Sequence, residues 1–350
     1  MFKMTATVSL VLATLALAGC QGVRQQSPAA SAPNTLVAVK VAAAPNLGAL
    51  ASDPAWAGAR ALSVDLNDGA NLGGTGKTTA SIKALYTADM LYMLVQYKDP
   101  TNSVRRIPFQ KQADGSWKQV SDPNDKGGDN NLAYEDKWAM IWPIDNSIKG
   151  FEEQGCAVLC HLGQGKPYGN KYTPGEGQIG DMWHMKSMRT IPMGFIDDQY
   201  VDHTRYDAKA SPNAGRKSDP GTASGEYTAL KLVNGKPPFM NRDGRPANAG
   251  GTYYIKKGDE VPFVDNFKPG DEVAAHISNP LLGDRADIKG VQKWENGVST
   301  TVLSRKLVTG SKFDVQFDPA KRYPFGFAVF DNAAVRHATP DDALFMVFGK

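Results

Sequence analysis

Apolar residues in this chain fall into short runs separated by turns. Ser81 to Tyr86 and Met90 to Tyr97 read as two strands, and Thr87-Ala88-Asp89 joins them in a tight turn. Asp136 to Ile144 is another apolar run, with Trp138, Ile141 and Trp142. Ile288 to Trp294 and Val298 to Leu307 flank Asn296-Gly297. That dipeptide signals a short-loop hairpin, because Asn and Gly accept the positive φ that such a turn needs. Phe313 to Phe317, Pro324 to Phe330 and Ala343 to Phe348 complete the C-terminal set. Tyr, Phe, Val and Thr dominate these runs, which suits side chains packed on a pleated surface. The pattern predicts a mainly β protein built as an antiparallel β-sandwich. From about Gly150 to Pro262 the pattern lapses into a polar, Gly/Pro-rich stretch with only short helical pieces. A loop excursion this long inside a domain usually serves a function.

The N-terminus has a different texture. Lys3 precedes an apolar run from Val8 to Ala18, which is too short for a stable membrane span. The run ends Leu17-Ala18-Gly19-Cys20, which resembles the lipobox of bacterial lipoproteins. The resemblance implies removal of residues 1–19 and a diacylglyceryl group on Cys20; an ordinary secretory signal with a chance cysteine is the alternative. The following residue is Gln21 and not Asp, which in Gram-negative lipoproteins goes with the outer membrane, facing the periplasm. Residues 20–45, rich in Ala, Ser, Gln and Pro, read as a lipidated flexible tether. Residues 46–350 then form the folded domain. Net charge is +3, so no nucleic-acid footprint is visible. Gly (35) and Pro (22) are frequent, which favours many turns over long helices.

The candidate chemistry lies in the excursion. Setting Cys20 aside, Cys156 and Cys160 remain, in Gly155-Cys156-Ala157-Val158-Leu159-Cys160-His161. A Cys-x-x-Cys-His run signals covalent c-type haem attachment; here three residues separate the cysteines. Two thiols must reach the two vinyl groups of one porphyrin edge, and the next residue must place an imidazole over the iron. On a short helix, positions i and i+4 share a face, and His161 follows directly. A periplasmic disulfide, a zinc site using His161 and free thiols are the competing readings. A bridge across three helical residues is geometrically awkward.

Several blocks then resemble the haem-binding domain of the γ subunits of ethylbenzene dehydrogenase and related dimethyl-sulfoxide-reductase-type enzymes, in particular its c-type branch. They are KALY (83–86), LYMLVQYKDP (91–100), YEDKWAMIW (134–142), residues 155–161, DMWHMKSMRT (181–190), DDQY (197–200), SRKLVTGSKFDVQF (304–317) and FAVFDN (327–332). The resemblance implies a DOMON-like β-sandwich holding one haem c between loops at one end. It also implies electron transfer rather than catalysis, with redox proteins as partners and a molybdenum oxidoreductase among them. The b-type γ subunits use Met and Lys axial ligands without thioethers, so their ligand pair does not transfer to a chain with Cys156 and Cys160.

His161 is the expected first ligand. The resembling domains take one ligand from near the C-terminal end, which points to His337; His184, in DMWHMKSMR, is the alternative. Asp331 or Asp341 would hold the far nitrogen of His337, and Asp181 that of His184. His276 lies in an apolar run and reads as core; His203 carries no signal. Met182, Met185 and Met188 serve either haem or packing. Arg189 and Lys186 face either haem propionates or solvent. GGTGKTT (73–79) lacks the first glycine of a phosphate loop, Asn71 standing there, and reads as a plain loop. Asp197-Asp198 reads as a turn or cap. Two function classes follow: a lipid-anchored monohaem electron carrier, or a haem-free binding or scaffold lipoprotein with a Cys156–Cys160 disulfide.

Overall fold

Twelve strands join in one ladder. They are β1 (Thr35–Lys40), β2 (Leu62–Leu66), β3 (Thr78–Tyr86), β4 (Met90–Lys98), β5 (Lys137–Pro143), β6 (Gly180–Lys186), β7 (Asp197–Val201), β8 (Arg216–Ser218), β9 (Lys289–Glu295), β10 (Val298–Lys306), β11 (Tyr323–Phe330) and β12 (Leu344–Phe348). The computed structural model describes Met1 and residues 32–125, 130–159, 171–221 and 225–350. The ladder runs β8-β7-β6-β5-β11-β12-β1-β3-β4-β10-β9, with β2 on β3. All pairings are antiparallel except those of β1, which is parallel to both neighbours. The ladder folds back on itself as a sandwich. Trp138 of β5 donates its indole N–H to Thr301 Oγ1 of β10 across the interior, at 3.1 Å. Trp142 stacks on Phe325 at 4.7 Å and lies 5.1 Å from Trp183, filling the space between the layers. At the β9–β10 hairpin, Asn296 (φ 51°) and Gly297 (φ 77°) both take the positive φ that their turn requires.

The sequence-based strands at 81–86, 90–97, 136–144, 288–294, 298–307, 324–330 and 343–348 all form, within a few residues. Three readings are corrected. Thr35–Lys40, expected in the tether, is a central strand: Leu36 and Ala38 alternate inward between β12 and β3. Phe313 to Phe317 is not a strand, although Val315 and Phe317 are buried. The 150–262 excursion is mainly loop with short helical turns, as expected, but it is not without sheet. It supplies β6, β7 and β8, and DMWHMK is a strand with all seven residues of β6 buried. The remaining short strands enclose a second apolar cluster around Phe109, Trp117, Ile255, Phe267 and Ile277. Cys20 and the leader lie outside the described residues.

A buried ion network runs between the two cores. Glu135 pairs with Arg106 (3.2 Å) and with Arg189. Arg189 also reaches Glu226 (3.1 Å), which takes Lys186 (2.9 Å) and Arg285. Lys186 and Arg285 close the network on Asp197. Arg106 and Arg189 both lie over the rings of Tyr134 and Tyr227. Burial alone would raise Glu135, but Arg189 and Arg106 overcome it and hold the carboxyl down at about 2.

Removing one member of such a network leaves an uncompensated buried charge. Glu135→Gln should destabilise the fold by about 3–5 kcal/mol at neutral pH. Because the folded pKa is depressed, the stability from Glu135 is complete above the ordinary carboxylate range and is lost as pH falls towards about 2. Urea unfolding of both proteins at neutral pH and at about pH 2 should show the gap closing. A constant gap would contradict the assignment.

Candidate functional site

The outer face of β11, β5, β6 and β7 carries a cavity. Strand parity sets its floor: Gly326 and Ala328 of β11 pair with Ile141 and Ala139 of β5, which pair with Met182 and His184 of β6. Trp138, Trp142, Trp183 and Met185 point the other way, into the core. Of the methionines read as serving haem or packing, Met182 therefore faces the cavity and Met185 the core. Small residues at 139, 326 and 328 keep the floor shallow, and Phe330, Val201 and Leu159 wall it. The cavity is a half-open depression with about 50 Å³ of water-accessible space, and its lining is almost wholly apolar.

Cys156 lies over this floor. A short helical turn, Phe151–Gln154, leads into a 3₁₀ turn, Gly155–Leu159. Gly155 has φ 59°, and any Cβ there would come within 3.3 Å of the Ala343 backbone, so the turn packs close on that segment. Beneath it, a Cβ on Gly326 would meet Cys156 Cβ at 2.6 Å and Sγ at 3.3 Å. Glycine at 326 thus makes room for the cysteine. Cys160 and His161 lie outside the described residues.

Two histidines bracket Phe330. His337 lines the cavity, with its ring 4.9 Å from that of Phe330. Its Nδ1–H donates to the Val335 carbonyl at 3.1 Å, so Nε2 is the ligand-competent atom. His184, buried, lies 5.9 Å from Phe330 and donates Nδ1–H to Gln199 Oε1 at 3.3 Å. Its Nε2 meets no partner among the described residues. Burial first, then Lys186, Lys137 and Lys171, push His184 well below the usual imidazole range and keep it neutral. The acceptors are not the expected aspartates. Asp331 instead receives the Leu72 amide and the hydroxyls of Thr101 and Ser103.

Arg189 and Lys186, read as facing either haem propionates or solvent, do neither: they belong to the buried ion network and are absent from the cavity lining. The cation in the cavity lining is one that was not singled out from the sequence. Lys171 lines the cavity, and Lys137 Nζ sits 4.1 Å from the Phe330 ring while donating to the Ala334 carbonyl. Only the β parity of residues 137–143 could have pointed to Lys137. His276 is core, as expected, and donates Nε2–H to the Met188 carbonyl at 3.2 Å. The residues present suit a flat, largely apolar cofactor: a floor of small side chains, a cysteine over it, two imidazoles, and Lys171 for an acidic substituent.

A family model described as ethylbenzene dehydrogenase matches residues 53–341. No curated protein matches the chain. Among solved structures, a family 9 carbohydrate-binding module from Caldicellulosiruptor kristjanssonii in complex with glucose overlaps at TM-score 0.30 and 8% identity, over 90% of this chain and 95% of that one. A putative carbohydrate-binding protein from Bacteroides uniformis overlaps at TM-score 0.37 and 10% identity, over 90% and 98%. At that overlap neither carries a ligand over to this chain.

Gly326→Ala tests the close approach of Cys156. The added methyl overpacks the turn and should cost about 1–3 kcal/mol in thermal or urea unfolding. An unchanged midpoint would mean that the turn does not rest on β11.

Proposed function

The chain belongs to the ethylbenzene dehydrogenase family, and from that premise we propose that it is a non-catalytic electron carrier holding one covalent haem c on the outer face of β5, β6 and β11. The family places it among haem-type subunits of oxidoreductases; covalent attachment, the ligand pair, the lipid anchor and the periplasmic outer-membrane location are this proposal. The observation that carries it is Cys156 over a cavity floored by Ala139, Gly326 and Ala328 and closed by His337.

Cys156 and Cys160 would hold the group through their sulfurs, and His161 and His337 would supply imidazole nitrogens to the iron. When bound, haem supplies a one-electron iron couple whose potential depends on ligands, burial and nearby hydrogen bonds. The Val335 carbonyl fixes the His337 tautomer. The apolar walls exclude water, and Lys171 stands where an acidic substituent needs a counter-charge. Cys20 carries the acyl chains, each buried methylene adding roughly 0.8 kcal/mol of membrane affinity. A molybdenum oxidoreductase is the proposed partner class.

An absorption spectrum of the purified chain should show Soret and α bands, and acidified acetone should leave the haem on the polypeptide. Unchanged haem content and covalency in Cys156→Ala/Cys160→Ala would refute attachment; a colourless wild type would favour the disulfide-bearing scaffold. Low-temperature EPR of His337→Ala should show loss of six-coordinate low-spin iron, with His184→Ala unaffected. The reverse result would assign His184 as the ligand.

Acylation at the N-terminus is the separate test of the anchor. Mass spectrometry should find it in the wild type and not in Cys20→Ala. The same acylated N-terminus in the variant would contradict the lipobox reading.

A further inference from the structure

On the reverse side of β6 and β7 from the cavity, four aspartates converge in the interior. Asp181 of β6 and Asp198 of β7 lie on the core-facing side with Trp183, which pairs directly with Asp198. Asp314 comes from the segment between β10 and β11, and Asp219 follows β8, its amide donating to the Asp198 carbonyl. All four are buried. One carboxylate oxygen from each of Asp181, Asp198 and Asp314 lies within 4.8 Å of the others.

The cluster is short of positive charge. Arg305 is the one cation paired with it among the described residues, at 3.3 Å from Asp181 and 3.1 Å from Asp314. Neither oxygen of Asp198 meets a donor, nor does either oxygen of Asp219, nor Oδ1 of Asp181. A buried carboxylate without donor or counter-ion is among the costlier arrangements in a protein. The second buried triad, Asp99, Asp136 and Asp331, differs. Its oxygens accept the amides of Leu72, Ser103 and Asn332 and the hydroxyls of Thr101 and Ser103, leaving only Asp99 Oδ2 open.

We propose that Asp181, Asp198 and Asp314, with Asp219 beside them, form a calcium site that fastens β6 and β7 to the 307–322 segment. Oxygens within 4.8 Å of one another can share a single ion; calcium accepts an irregular set of protein carboxylates at about 2.3–2.6 Å, whereas magnesium keeps several waters and one or two carboxylates. Hard carboxylate ligands select the same class of ion. The donor-free oxygens of Asp198 become ligand atoms, and Asp219 accepts from a water bound to the ion. Tyr200, paired with Asp181 across the strands, and Phe313, next to Asp314 in the chain, stack at 4.3 Å and are both partly exposed. The inference does not rest on the haem proposal, since it uses the opposite face of the strands.

The test uses the purified full chain, stripped with a chelator and returned to calcium alone. Equilibrium dialysis should find about one calcium per chain, and a hundredfold excess over the dissociation constant should raise the unfolding midpoint by about 5 °C. Asp198→Asn should lose both effects, while Asp99→Asn, in the other triad, should keep both. No uptake by the wild type would overturn the site, and that reading stands whether or not Asp198→Asn folds. Uptake undiminished in Asp198→Asn, or an equal rise with magnesium, would overturn the assignment as well.

Discussion

The constraint on which the rest depends is the buried network from Arg106 through Glu135, Arg189, Glu226 and Lys186 to Asp197 and Arg285. Its members come from loops as well as from the sheet. Arg106 precedes the small strands of the second core, Glu226 adjoins Tyr227–Ala229, and Lys186 and Asp197 end β6 and begin β7. Four cations meet three carboxylates with almost no water, so no single charge can move without leaving a partner exposed to low dielectric. The network therefore fixes the register of β6 against β7. That register decides which residues face the cavity.

Strand parity does the remaining division. Along β6, Met182 and His184 face outward, while Asp181, Trp183 and Met185 face the core. One side becomes a hydrophobic floor with two imidazoles and Lys171. The other becomes an aromatic core ending in a carboxylate cluster. A one-residue slip would exchange the two, placing aspartates under the cavity and histidine in the core. So the short, fully buried strand does two opposite electrostatic tasks, and only its neighbours keep them apart.

The β pattern was legible where strands are bounded by turns. The 81–97 and 288–307 hairpins read directly from alternation and from Asn296-Gly297. DMWHMK was not legible, because every residue is buried and the helix-like spacing of its methionines competes with period two. Thr35–Lys40 was missed because its Ala-rich surroundings resemble linker, and its pairing with β12 and β3 joins residues far apart in sequence. Arg189 was readable as a functional cation only in isolation; its partners Glu135 and Glu226 are remote in sequence, so its commitment to the interior needed the fold. The cysteine motif stood out by spacing alone, yet the glycine that makes room for Cys156 lies on a strand distant in sequence.

The two candidate ligands show how much local charge decides. Both histidines have Nδ1–H fixed by an acceptor, so tautomer does not separate them. Surroundings do. His184 is enclosed by burial and by Lys186, Lys137, Lys171 and Arg216, which oppose further positive charge nearby. A ferric centre placed against that nitrogen would add to the repulsion. His337 stands at the cavity wall, partly exposed, with Phe330 between it and His184. The cations near His184 are better placed to balance acidic substituents than to crowd an oxidised metal. Cationic surroundings also favour the reduced state of any redox centre in the cavity, since that state carries one less positive charge.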